Sequence, residues 1–320
     1  MPRFSVIIPL YNKAPYVVKA IQSVLAQTFM DYELIIMDDG SKDDSFSIAL
    51  KTIEGRGNCH LFRQENAGVS MARNNGVALS QGEYFCFLDA DDWWEPTFLQ
   101  EMDELIKEFH EAGIYGTNYT IVNETKHKTR VAKIGVEEGF EKGYINYCKA
   151  YASTMYMPLT SISVAIPRRV FEEMGGFPRG IKLGEDFLLW IRIALKYKVA
   201  FLNKPLAFYN QDVDSSHSGT HKKEYDPDTF MTFYFGQFDK EEKENHDLKA
   251  LLDQIRVYSL MSFRKQNLYP EKVRCEIDKV DFRNVEPKYR FYYKAPYLVV
   301  NAYCRLLQLL SQIRQKIVFL

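Results

Sequence analysis

Three polar clusters stand at the ends of apolar, β-branched runs: Pro9-Leu10-Tyr11-Asn12, Asp38-Asp39-Gly40-Ser41 and Asp89-Ala90-Asp91-Asp92-Trp93-Trp94. Side chains of these types can hold a nucleotide. A carboxylate accepts an imino N–H and an aromatic ring covers a base face, so Asp39 with Tyr11 suits uracil while Asp89 takes ribose hydroxyls. Asp91 suits a hard divalent cation, which takes oxygen ligands from one or two carboxylates and fills its shell with substrate phosphates. Such an ion would neutralise a departing diphosphate. Each cluster also has an ordinary reading, because Asp, Gly and Ser form turns and acidic pairs are common where helices start.

The elements that must position these clusters alternate between strand and helix. Phe4 to Leu10 reads as a strand, followed by Ala14, Val17, Val18, Ile21, Val24 and Leu25 at helical spacing. Tyr32 to Met37 repeats the strand signal, Ser45 to Ile53 can be helical, and His60 to Arg63 extended. Ser70 can cap a helix through Leu79, Tyr84 to Leu88 reads as a buried strand, and Pro96 suits the first turn of a helix carrying Phe98, Leu99, Met102, Leu105 and Ile106. Two further strands are expected at Ile114 to Val122 and Ser161 to Ile166, then a helix with Phe187, Leu188, Ile191, Ala194 and Leu195 on one face. This pattern predicts an α/β domain with a mostly parallel central sheet, and ligands then sit beyond the carboxyl ends of the strands. The polar clusters should therefore converge.

The α/β signal fades near Asn210, and beyond the polar stretch 211–227 it turns helical, with Leu248, Leu251, Leu252 and Ile255 on one stripe. A boundary near residue 222 divides residues 1–222 from a helical extension, 223–320. A length of 320 residues suits one large domain with an appendage. The 46% hydrophobic and 26% charged residues mark a globular chain. A net charge of −1 disfavours a general nucleic-acid binder. No acidic residue follows Glu286, whereas Lys288, Arg290, Lys294, Arg305, Arg314 and Lys316 do. With Leu298, Val299, Val300, Leu306, Leu307, Leu309, Leu310, Ile313 and Ile317 interleaved, residues 288–320 suit either a membrane interface or a helix packed on protein, and are too interrupted to span a bilayer. Five scattered cysteines without a CxxC pair lead to the expectation of a reducing, cytoplasmic setting, and a strand-like run from residue 4, in place of a charged then apolar leader, makes a signal peptide unexpected.

The sequence resembles the family 2 glycosyltransferases of bacterial polysaccharide and O-antigen type. The resemblance is carried by Ser5-Val6-Ile7-Ile8-Pro9-Leu10-Tyr11-Asn12, Ser23-Val24-Leu25-Ala26-Gln27-Thr28, Asp38-Asp39-Gly40-Ser41, Asn66-Ala67-Gly68-Val69-Ser70-Met71-Ala72-Arg73-Asn74 and Asp89-Ala90-Asp91-Asp92, and extends to Gly175-Gly176-Phe177 and Gly184-Glu185-Asp186-Phe187-Leu188-Leu189-Trp190. It covers about residues 4 to 210. It implies a GT-A (nucleotide-diphospho-sugar transferase) fold and an inverting, metal-dependent hexosyltransferase, with a UDP-sugar as the expected donor and a saccharide or lipid-linked saccharide as acceptor in surface polysaccharide synthesis.

By that resemblance Pro9, Tyr11, Asp39, Arg73 and Asp89 bind nucleotide or its sugar, Asp91 holds Mn²⁺ or Mg²⁺, Asp186 is the catalytic base and Asp92 a helper. His217 would lie in a segment closing over the diphosphate, and Trp94 would offer a face to a sugar ring. Inversion needs such a base, since the acceptor hydroxyl must lose its proton as it attacks. Two alternatives stand beside this reading. A sugar nucleotidyltransferase would also use an α/β nucleotide domain with metal but should carry a Gly-rich loop after the first strand, and Pro9-Leu10-Tyr11-Asn12 has no glycine. A non-catalytic carbohydrate-binding protein would have no use for Asp91 and Asp186.

Overall fold

The computed structural model describes residues 1–123, 125–213 and 225–302. The chain divides into two compact units, Met1–Glu224 and Tyr225–Leu320, each taken by itself below. The expected boundary near residue 222, His217, and residues 303–320 of the tail lie outside the described residues.

In the first unit, β1 (Phe4–Leu10) is apolar on both faces and buried almost throughout, as a central strand covered on both sides must be. It leads into α1 (Val17–Leu25), which buries Val17, Ala20, Ile21 and Val24 at the spacing of one helix face. The alternation continues through β2 (Tyr32–Asp38), α2 (Ser45–Thr52), β3 (Cys59–Arg63), α3 (Val69–Leu79) and β4 (Tyr84–Phe87). After these come β5 (Trp93–Trp94), α4 (Phe98–Glu108), β6 (Ala112–Asn123), β7 (Lys128–Val131), β8 (Lys142–Ile145) and α5 (Tyr147–Thr154). The unit closes with β9 (Val164–Pro167), α6 (Arg168–Glu173), α7 (Glu185–Lys196) and β10 (Lys198–Asn210). The main path of the sheet runs β3-β2-β1-β4-β9-β6-β10-β5, with β7 beside β6 and β8 beside β10. Its longest ladders, β1 with β2 and β6 with β10, are parallel, while β9 runs antiparallel to both β4 and β6.

The sequence-based elements are largely present, with instructive differences. Gly68, at a φ of +86°, turns the chain into α3, so the helix starts at Val69 and Ser70 lies inside its first turn rather than capping it. Ser70 Oγ is buried and has no hydrogen-bond partner among the described residues. Pro96 precedes α4 by two residues, outside its first turn, and its carbonyl accepts from the Thr28 N–H. Ser161–Ser163 forms a 3₁₀ turn, and only from Val164 does the chain extend. Trp94 is no open sugar platform: it is 3% exposed, stacks on Phe98 and donates from its indole to the Ile162 carbonyl.

β10 was not expected at all, because Lys198, Asn203, Lys204 and Pro205 break any apolar pattern. It runs thirteen residues nonetheless, with register shifts on either side of Pro205 that keep the proline out of the regular ladder. Its end pairs antiparallel with β5, Phe208 opposite Trp93 and Ala207 opposite Trp94.

The second unit is helical: α8 (Asp239–Glu244), α9 (His246–Ser259), α10 (Met261–Gln266), α11 (Pro270–Asp278) and α12 (Pro287–Lys294) follow a 3₁₀ segment, Met231–Phe238. α9 buries the stripe Leu248, Leu251, Leu252 and Ile255. Beside it lies Arg256, fully buried, donating two hydrogen bonds to Glu242 (2.5 and 2.8 Å) and one to Glu276 (3.1 Å). α12 has no buried residue, yet the Tyr292 and Tyr293 hydroxyls donate to the carbonyls of Met261 and Val257, fastening it to α9 and α10. No helix among the described residues is long and apolar enough to cross a membrane.

At the amino ends of the first unit's strands, Ser5 Oγ donates to Glu33 and accepts from the Gly82 N–H, in a buried polar knot. A Cβ on Gly82 would lie 2.4 Å from Ser5 Oγ and 2.6 Å from Ser5 N. Gly82→Ala should therefore destabilise the chain by about 1–3 kcal/mol through overpacking. Chemical denaturation checks this; an unchanged midpoint would mean that the β1–β4 junction yields without cost.

Candidate active site

The carboxyl ends of β1, β2 and β4 lie side by side. Leu10 pairs with Asp38, the Asp39 N–H donates to the Leu10 carbonyl, and the Leu88 N–H donates to Ile7. Pro9 stays within β1 opposite Met37, beyond the last residue that β4 pairs, and Tyr11 stands 40% exposed at the rim. Asn12 adopts φ +50° and bolts the β1 and β2 loops together. Its N–H donates to Ser41 Oγ, and its side-chain carbonyl accepts from the Lys42 N–H.

Asp39 is buried, and its carboxylate accepts from the backbone N–H groups of Ala67 (2.8 Å) and Gly68 (2.9 Å) and from Gln64 Nε2 (2.7 Å). It thus fixes the turn that launches α3. Asp38, fully buried behind it, is paired with Arg63 Nε at 3.1 Å. One side of Asp39 organises the loop, and the helix so placed carries Arg73.

Arg73 is 2% exposed, which for a permanent cation requires compensating charge. One arm, Nη1, donates to Glu185 (2.8 Å), and the other, Nη2, to Asp89 (2.7 Å) and Ser161 (3.2 Å). Its carbon centre lies 5.0 Å from the centroid of the Phe177 ring. Burial works against its charge, but Asp89 and Glu185 outweigh it and hold the guanidinium more firmly protonated than usual. Neighbouring Asn74 grips Phe177 from both sides of its peptide, donating to the carbonyl (2.9 Å) and accepting from the N–H (3.0 Å). The Gly175-Gly176-Phe177 motif is accordingly a brace for α3.

Past β4 the acidic turn places three carboxylates together. Asp91 pairs with Lys13 Nζ (2.5 Å), and buried Asp92 accepts from the Asn210 N–H (2.7 Å) at the end of β10. Burial pushes both carboxyls above their usual range. For Asp91 the charge of Lys13 opposes the shift, whereas Asp92 is raised further by Asp91 and Asp89. Such mutual repulsion marks a place prepared for positive charge.

Asp186 opens α7, one residue after the glutamate that holds Arg73. It is half-buried and accepts from the Phe187 N–H at 2.7 Å. Burial, reinforced by the adjacent charge of Glu185 and opposed by Arg73, pushes its carboxyl up to about 7. Tyr119 and Tyr147 lie within its electrostatic reach, and the buried Tyr147 hydroxyl has no partner among the described residues. A carboxylate poised near neutrality can accept a proton and release it again at physiological pH.

Arg73 thus joins Asp89 to Glu185 and lies within electrostatic reach of Asp186. Asp91 is paired with Lys13 and feels the charge of Asp89. Asp39 holds the turn before α3, and Pro9 and Tyr11 lie at the end of β1. Sequence reasoning missed Lys13 and the commitment of Glu185 to Arg73. Lys13 directly follows the Tyr11-Asn12 pair at a strand end, and that position is its signal in the sequence. The open groove between α2 and β3, lined by Leu50, Cys59, His60 and Phe62, contains none of these residues.

Replacing Glu185 by glutamine removes a like charge beside Asp186 and frees Arg73 to act on it, so the Asp186 midpoint should fall below about 7. A carboxyl-carbon NMR titration reads this directly; an unmoved midpoint would exclude the Glu185–Asp186 interaction.

A model of Glycosyl transferase family 2 matches residues 5–171, just over half of the chain. An uncharacterized glycosyltransferase of Rickettsia felis is 32% identical over 205 residues, covering 64% of this chain and 32% of its own. Glycosyltransferase GlyA of Streptococcus pneumoniae is 33% identical over 214 residues, covering 65% of this chain and 30% of its own. The chain therefore spans about a third of the length of these two curated relatives. Among solved structures, S. aureus TarS 1–349 in complex with UDP-GlcNAc superposes with a TM-score of 0.71 at 19% identity, over 88% of this chain and 82% of that one. That likeness bears on the fold, an α/β GT-A architecture with a helical C-terminal region. On the family match and the motifs it contains, the chain belongs to glycosyl transferase family 2.

Proposed function

We propose that residues 1–222 form an inverting, metal-assisted hexosyltransferase domain. It would move a sugar from a UDP-linked donor to a saccharide or lipid-linked saccharide in cell-surface polysaccharide synthesis. The observation that carries this reading is the grip of Arg73 on Asp89 with one arm and on Glu185 with the other. It joins the acidic turn after β4, suited to a nucleoside diphosphate, to the start of α7, where burial pushes the Asp186 carboxyl up to about 7. The UDP-GlcNAc bound to TarS, a protein of like fold, supports a UDP-sugar as donor.

In this reading Tyr11 covers the base, Asp39 and Asp89 hold the nucleoside, and Asp186 takes the proton of the acceptor hydroxyl. That oxygen attacks the anomeric carbon from the face opposite the diphosphate. The bond to the diphosphate breaks as the glycosidic bond forms, and the configuration inverts. The carboxylate oxygens of Asp91, with those of Asp89 and Asp92 close in sequence, fit Mn²⁺ or Mg²⁺, which need one or two carboxylates besides phosphate oxygens. Among the described residues no three His, Cys, Asp or Glu side chains form a closed metal cluster. In this reading Asp91 holds the ion, which when bound would neutralise the leaving diphosphate.

Asp186→Asn should lower kcat by about 10²–10⁴ while donor affinity stays within a few-fold, because a general base acts in the transition state. In the unaltered enzyme the base must be ionised, so turnover should rise with pH up to about 7 and level off above it. Near-normal transfer by Asp186→Asn would remove it from that role, and loss of donor binding alone would move it to the donor site.

The extension, residues 223–320, is assigned to an anionic membrane surface through 288–320. Exposed Phe291, Leu298 and Val299 among basic residues support this, although Tyr292 and Tyr293 serve to hold α12 on its own unit. Full-length chain should co-sediment with anionic liposomes, and chain ending at residue 287 should not; equal sedimentation of the two would refute it.

A further inference from the structure

Lys13 follows Asn12 where β1 gives way to α1, and its backbone is fixed. Its N–H donates to Ser45 Oγ at 2.7 Å, and Ser45 in turn donates to Asp43. The side chain crosses to the acidic turn after β4, where Nζ lies 2.5 Å from Asp91 Oδ2. Only 14% of the lysine side chain and 17% of the aspartate are exposed, so this is no solvated surface pair. Either partner left alone would be a poorly hydrated, uncompensated charge.

The three carboxylates of the turn are served differently. Asp89 has Arg73, buried and held on its far side by Glu185. Asp92 has the Asn210 N–H. For Asp91, Lys13 is the paired cation among the described residues. Arg73 is pinned from two directions, whereas an ammonium on a four-carbon stem can leave one oxygen for another while its backbone stays in place. The carboxylate best placed for a divalent ion is therefore already occupied by a mobile cation of the chain itself. An ammonium and a divalent ion at one carboxylate oxygen repel each other, so the two compete.

We propose that Lys13 is a donor-diphosphate ligand held in reserve on Asp91: in the empty site it occupies the carboxylate, and on donor binding it yields Asp91 and carries its charge to a phosphate oxygen. The inference rests on the nucleotide-sugar reading above. Its consequence is that the empty site resists divalent ions, and that ion and donor enter together.

Calorimetry on the intact chain tests this with Mn²⁺ alone, UDP alone and UDP with Mn²⁺. Lys13→Met should bind Mn²⁺ alone about tenfold more tightly than the unaltered chain and bind UDP in the presence of Mn²⁺ about tenfold less tightly, a typical coupling between sites. Adding Asp91→Asn to Lys13→Met should abolish the gain in Mn²⁺ affinity. A purely structural ion pair predicts the opposite sign for the metal, since its loss would loosen the turn. Unchanged or weaker Mn²⁺ binding by folded Lys13→Met therefore overturns the proposal. Should Lys13→Met melt, Lys13→Gln carries the same test, because it keeps a hydrogen bond to Asp91 without the charge. If the unaltered chain binds no UDP with or without Mn²⁺, the donor reading itself falls and this inference with it. If it binds normally and the variant matches it, Lys13 alone is refuted.

Discussion

A guanidinium with almost no solvent can persist inside a protein only where carboxylates flank it, and that requirement organises the first unit. Arg73 reaches Asp89 sixteen residues downstream and Glu185 more than a hundred residues away. Because the cation cannot be left unpaired, α3, the turn after β4 and the start of α7 must close around it together. Asp39 sets the origin of α3 through two backbone N–H groups, and Asn74 ties the next residue of the same helix to Phe177. The poise of Asp186 follows, since it sits beside the glutamate that Arg73 engages.

The sequence made the sheet centre plain and its far half obscure for one reason, the reach of local pattern. β1, β2 and β4 are continuous apolar runs buried on both faces, and their stops at polar clusters locate the carboxyl ends. β10 carries two lysines, two asparagines and a proline yet holds the longest register in the sheet, because β6 supplies the pairing that its own residues do not advertise. The same limit applies to the site. The types of Asp39, Asp91 and Asp186 were readable, but the partners that determine what each does, namely Gly68, Lys13 and Arg73, depend on loops meeting across the fold. Trp94 shows the converse error: an aromatic beside an acidic motif invites a ligand role, and its neighbours bury it instead.

The acidic turn also illustrates how strand pairing can serve chemistry at a distance from it. Asp92 receives its hydrogen bond from the last residue of β10, and the Trp93–Trp94 strand pairs with Phe208 and Ala207 just before it. The turn is therefore held at both ends, by β4 on one side and by the β5–β10 ladder on the other. Its carboxylates repel one another, and the turn that carries them is anchored on both sides.

The buried Arg256 of the helical unit imposes a different kind of order, on substitution rather than on catalysis. Glu242 and Glu276 converge on it from separate helices, and losing any one member strands charge in an apolar interior. Replacing the whole group by apolar residues of similar volume is often neutral, whereas breaking it one member at a time is destabilising. A designer could exchange all three side chains at once for apolar ones of like volume, whereas removing a single member costs stability, in a region that the family match does not cover.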